Sequence, residues 1–102
     1  MGQVRYEYVD EDGHRTIKEI HKVVVHRFNM GDVEDPDLYA AEPLIAWEKS
    51  EAGQFIMENA IGDTIWQRQP DIMHYGWQYA IIAELEKKKL SEFYLRFDKV
   101  KN

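Results

Sequence analysis

Asp12-Gly13 lies between two runs of alternating apolar and polar residues, VRYEYVDE and HRTIKEI. A two-residue type I′ turn needs positive φ at both central positions, and Asp-Gly provides this at low steric cost, so the pattern predicts a β-hairpin. Its register is testable from side-chain chemistry. Placing Glu11 opposite His14 sets Asp10 across from Arg15, Glu7 across from Lys18 and Tyr8 across from Ile17. Two opposite-charge pairs and one aromatic–aliphatic pair fall into place together. One face of the hairpin then carries Val4, Tyr6, Tyr8 and Ile17, and the other is mostly charged.

The second strand continues into HKVVVHRFNM, where Val23, Val24 and Val25 suit a strand buried on both faces near the centre of a sheet. Gly31 and Asp32 end it. Asp35-Pro36 then reads as a helix start, with Asp35 as N-cap and Pro36 at the first helical position. Pro43 is expected to break that helix, so a short turn over 36–41 gives way to a second helix running from Pro43 to about Asn59 or Ala60. Leu44, Ile45, Trp47, Ala52, Phe55, Ile56 and Ala60 form its apolar stripe, Gly62 sits where a C-terminal cap belongs, and Ser50 and Gly53 mark a bend. DTIWQR reads as a short strand stopping at Pro70.

The remainder, YGWQYAIIAELEKKKLSEFYLRFDKV, reads as a long hairpin turning near Lys87 and Lys88. One side pairs Ile82 with Phe93, Ala80 with Leu95 and Gln78 with Phe97. The other pairs Leu85 with Leu90 and Ile81 with Tyr94, and carries Trp77 and Tyr79. Both faces are apolar and one helix covers only one of them, so the second requires another partner. The expected fold is a single α+β domain over 1–102. It has an antiparallel sheet of four or five strands in ββ-α-βββ order and one helical layer.

With 44% hydrophobic and 13% aromatic residues in 102, the chain can bury one modest core. No run approaches the roughly 20 apolar residues of a membrane span, and MGQVRYEYVD has no apolar signal core. Gly2 invites a myristoylation motif, which Tyr6 defeats. The expectation is a protein that is not secreted and does not contact membrane. The absence of cysteine excludes disulfides, thiolate chemistry and cysteine-based zinc sites. A net charge of −6 argues against direct nucleic-acid binding. Residues 30–64 hold nine acids and one base, so the imbalance lies in the middle of the chain.

DVEDPD does not match a calcium loop: counted from Asp32, the third, fifth, sixth and twelfth positions are Glu34, Pro36, Asp37 and Pro43. Asp35 is expected to cap the helix, with Asp37 in its first turn, where the helix dipole favours carboxylates. The acidic surface comprises Asp32, Glu34, Asp37, Glu48, Glu51 and Glu58. His14, His21, His26 and His74 are the candidates for metal or general-base chemistry. His21 and His26 point to opposite faces of a regular strand and share a metal only across a bulge. Ser50 and Ser91 lie outside any nucleophile motif. Lys87, Lys88 and Lys89 make a basic tip that guards an edge. Trp66, Trp77 and Tyr79 lack the interleaved arginines of a base-stacking surface. No catalytic residue, metal or cofactor is expected.

HRFNMGDVEDPDLYAAEPLIAWEKSEAGQFIMEN, together with YGWQYAIIAELEKKKLSEFYLRFD, resembles short uncharacterised proteins encoded by tailed phages of marine bacteria and cyanobacteria. The resemblance covers about two thirds of the chain and brings no activity or site residues. It implies a viral origin and a small accessory or virion-associated role, in the host cytoplasm or in the particle.

Three functional classes follow. The first is a non-enzymatic, self-associating interaction module, a homo-dimer or other homo-oligomer, with Trp77, Tyr79, Ile81, Leu85, Leu90 and Tyr94 at the contact. The second is an acidic binder of a basic host protein that competes with nucleic acid. The third is a metal-dependent hydrolase using Asp32, Glu34, Asp35 and a histidine.

Overall fold

A computed structural model describes residues 3–31, 33–73 and 75–97. It is an α+β fold with strands β1 (Gln3–Glu11), β2 (His14–Gly31), β3 (Ile65–Pro70) and β4 (Trp77–Glu86), and helices α1 (Pro36–Lys49), α2 (Glu51–Asn59) and α3 (Lys87–Phe97). The four strands form one sheet in the order β1-β2-β4-β3, and every neighbouring pair is antiparallel.

The β1–β2 hairpin has the expected register, Glu11 opposite His14 through Glu7 opposite Lys18. Asp12 and Gly13 adopt φ of 53° and 78°, as a type I′ turn demands. Residues 14–19 of β2 pair only with β1, because β4 joins the ladder at Ile20. The hairpin therefore projects beyond the rest of the sheet as a two-stranded arm. The chain spans 54 × 24 × 23 Å with a radius of gyration of 15.9 Å, against about 13 Å for a compact chain of this length.

Further along β2 the register slips between Val24, opposite Ile82, and His26, opposite Ile81. The extra residue, Val25, is a β-bulge that reverses which face the following residues take. His21, opposite Leu85, and His26 thus share the helix-covered face, four β4 positions apart.

Pro43 does not end α1, which runs through it to Lys49. The carbonyl that Pro43 leaves without a helical donor belongs to Tyr39, an exposed residue open to water. The break falls at Ser50, which is extended (φ −71°, ψ 164°) and caps α2 by accepting the Gly53 N–H at 3.1 Å. Gly53 is required there because an added Cβ would lie 1.8 Å from the Trp47 carbonyl oxygen.

The largest departure from expectation is residues 87–97, which form helix α3 rather than the return strand of a hairpin. Leu90, Phe93, Tyr94 and Phe97 recur at helical spacing. Lys89–Glu92 (3.6 Å) and Glu92–Arg96 (3.8 Å) then become neighbours on one helix surface. The sheet consequently has four strands, and α3 closes onto it with α1 and α2. Ile81, Ala83 and Leu85 of β4 pack in one core with Trp47, Phe55, Ile56, Leu90 and Phe93. The side of β4 that faces the helices is therefore the one bearing Tyr79, Ile81 and Leu85, the reverse of the expected choice. On the other side Arg5 pairs with Glu84 at 3.1 Å and Lys18 with Glu86 at 3.5 Å, so much of that face is an ionic ladder.

Candidate functional site

The residues expected to form one contact surface are separated by the fold. Tyr79 and Leu85 are 0% exposed and Ile81 2%, and Leu90 is also buried, so these four belong to the protomer's own interior. Trp77 is half-buried beneath the Arg68 guanidinium, 4.5 Å from its ring centroid. Only Tyr94 remains exposed. Trp47 of α1, Phe55 and Ile56 of α2, and Leu90 and Phe93 of α3 together cover the face that a return strand would have left open.

Exposed apolar side chains occur in the β3–β4 connection (Ile72, Met73 and Tyr75), on α1 (Leu38, Tyr39 and Ile45) and on the arm, where they share one face. Val4, Tyr6, Tyr8 and Ile17 are 48%, 65%, 72% and 59% exposed, and cross-strand pairing puts them on one face. Their polar neighbours Arg5 and Glu7 occupy the opposite face, where Arg5 binds both Glu7 and Glu84. That guanidinium, chiefly through its hydrogen bond, holds the Glu84 carboxyl below the usual carboxylate range. The alternation of β1 thus separates an apolar and an ionic face on a strand whose outer edge has no neighbour among the described residues.

A concavity of about 590 Å³ lies where the β2 bulge meets Trp47, Ser50 and α3. The His26 ring stacks on Trp47 at 5.7 Å and 19°, and burial lowers its pKa from the ordinary 6.5. Its lining includes Arg27 and Tyr94 but no carboxylate that could orient the imidazole. The Ser50 hydroxyl is occupied, donating to the Trp47 carbonyl while accepting from Gly53. The geometry gives a groove of mixed polar and apolar lining that holds an imidazole but no nucleophile–base pair among its described residues.

A third cluster joins α1 to the sheet. The Asp37 carboxylate accepts the Tyr79 hydroxyl and lies 3.4 Å from Arg68 Nη1. Burial, followed by the hydrogen bond to Asp37, pushes the Tyr79 phenol up to about 12. The Tyr79 ring stacks on Phe28 (5.2 Å) and lies tilted against Trp66 (5.3 Å). Asp37, expected as part of an open acidic surface, is therefore the anchor of α1. Asp35 occupies the N-cap position without a side-chain cap bond.

Glu34, Glu48, Glu51 and Glu58 are exposed along the α1–α2 side. Asp32 and His74 lie outside the described residues. His14 is exposed beside the turn, and His21 binds Glu19 at 2.7 Å. Among the described residues no three His, Asp or Glu side chains come together as a metal site, and no helix is long and apolar enough to cross a membrane. Comparison with protein-family models, curated proteins and solved structures yields no match.

Sequence reasoning found the apolar stripe of the arm but did not treat it as a surface. The signal was present: four apolar residues on one hairpin face, with no later segment in the sequence assigned to cover them.

Proposed function

We propose that the protein is a non-enzymatic, self-associating interaction module whose contact surface is the projecting β1–β2 arm. The observation that carries the reading is the exposure of Val4, Tyr6, Tyr8 and Ile17 on one face of a ribbon that extends past the helical layer. Apolar residues gathered on a protruding element mark interaction surfaces, whereas scattered ones do not. The resemblance of the middle and C-terminal segments to phage proteins supports a phage-encoded accessory or virion-associated role for such a module. Sedimentation across a wide concentration range tests it. The expected result is an increase in mass with concentration that persists at raised salt; a monomer at every concentration overturns it.

A second reading, docking of the acidic α1–α2 side on a basic host protein, is favoured by exposed Glu42 beside exposed Leu38, Tyr39 and Ile45, with Glu48, Glu51 and Glu58 also exposed on α1 and α2. Its contact would mainly steer encounter and weaken steeply with salt. Salt titration of binding to a polylysine surface separates the two readings.

A further inference from the structure

We infer that two copies of this chain join edge to edge through antiparallel pairing of β1 with β1 about a two-fold axis at Tyr6; this rests on the self-association reading and adds its register. β1 is a sheet edge of nine residues without proline or bulge. An edge of this kind presents unpaired N–H and C=O groups to another strand unless something blocks it.

The turn determines which groups those are. In a hairpin closed by a two-residue turn the flanking pair, here Glu11 and His14, exchanges hydrogen bonds, and bonded and non-bonded pairs alternate from there. Val9, Glu7 and Arg5 therefore bond inward to β2. Tyr8, Tyr6 and Val4 direct their backbone groups outward.

A two-fold contact must then pair outward residues with outward residues. Centred on Tyr6, it places Tyr6 opposite Tyr6 of the second copy and Val4 opposite Tyr8. On the other face, Arg5 of each copy meets Glu7 of the other, twice. Those charged residues fall at non-hydrogen-bonded positions, where side chains approach most closely. The two alternatives reached by sliding one strand by two residues set Arg5 against Arg5 or Glu7 against Glu7. Charge thus disfavours both neighbouring registers, and the one centred on Tyr6 also matches aromatic to aromatic and aromatic to β-branched, where a centre at Tyr8 would set Tyr6 against Asp10. The result is a continuous eight-stranded sheet with β3 at both ends. A self-complementary patch of this kind is what a closed two-fold dimer requires.

The test uses the whole chain. Glu7→Arg alone brings two arginines face to face, and Arg5→Glu alone brings two glutamates. Each is expected to weaken self-association by at least about tenfold, and an equimolar mixture, in which every pair is again opposite in charge, restores it as a heterodimer. Circular dichroism establishes that each variant is folded. Independently, the chain has no cysteine, so Tyr6→Cys reports on the axis: paired Cα atoms about 5.5 Å apart allow a disulfide. Under mild oxidation Tyr6→Cys cross-links with itself. Val4→Cys and Tyr8→Cys do so only when mixed. Variants that associate as tightly as the unmodified chain, a mixture that fails to recover, or efficient self-cross-linking of Val4→Cys would each overturn this register while leaving self-association standing. An unmodified chain that stays monomeric throughout overturns both.

Discussion

Ile17 and Phe28 lie on the same strand, β2, yet one faces solvent and the other stacks on Tyr79 beneath the helical layer. Among the described residues, the first six of β2 have β1 as their only strand neighbour, whereas the rest lie between β1 and β4 for part of their length and are roofed by helices. The difference shows that a strand's pattern is local, while its burial depends on segments that arrive later in the chain. The same contrast holds between the two edges of the sheet. β3 is six residues long and ends in Pro70, which cannot donate a ladder hydrogen bond; β1 is half as long again and unguarded.

If the body is the part that holds the fold, the largest effects belong there. Leu85→Ala should cost about 2–5 kcal/mol in urea unfolding, because the side chain is fully buried among Ile56, Leu90 and Phe93. Ile81→Asp, which would have given a folded monomer had Ile81 lain at a dimer contact, should instead prevent folding. A soluble, cooperatively folding Ile81→Asp variant would break the comparison.

Next in size is the joint between α1 and α2. Gly53→Ala should cost about 1–3 kcal/mol, since the new methyl group meets backbone at the Trp47 carbonyl and cannot be relieved by a side-chain rotation. Ser50→Ala, which removes the α2 cap, should cost about 1 kcal/mol. Asp35→Ala should fall within measurement error, because Asp35 makes no cap bond. Thermal unfolding of these three variants side by side sharpens the assignment of the helix break to Ser50.

The hairpin was legible in the sequence because its information is local: the Asp12-Gly13 turn and three cross-strand pairs agree on one register. The valine-rich centre of β2 and the bend at Ser50 and Gly53 were legible for the same reason. α3 was not, although its signal was present. The apolar run of β4 continues into KKKLSEFYLRF with no glycine or proline between, so a two-residue period was carried on where Leu90, Phe93, Tyr94 and Phe97 follow a helical one. That single misreading also inverted the faces of β4 and put Tyr79, Ile81 and Leu85 on a contact surface. The bulge at Val25 could not be read at all, because three successive valines give no sign of which one is extra. Asp37 was recognised as a first-turn carboxylate, but its bond to Tyr79 joins residues 42 positions apart.

The smallest effect concerns pH. Burial lowers the His26 pKa in the folded chain, so as pH falls the unfolded chain takes up this proton first. Stability from this group is complete above the unfolded value of about 6.5 and is lost as pH falls from there through the lower folded value. Urea midpoints at pH 8 and pH 5 should differ less for His26→Phe, which retains an aromatic ring against Trp47, than for the unmodified chain. An equal difference in both would place the histidine outside the packed body.

Residue-resolved amide hydrogen exchange at low and high protein concentration tests the central contrast most directly. The account predicts that Ile81, Ala83 and Leu85 amides are strongly protected at both concentrations. The outward-facing amides of Val4, Tyr6 and Tyr8 should exchange rapidly in dilute solution and become protected as concentration rises, while those of the β3 edge stay unchanged. Arm amides whose protection is the same at both concentrations would contradict it.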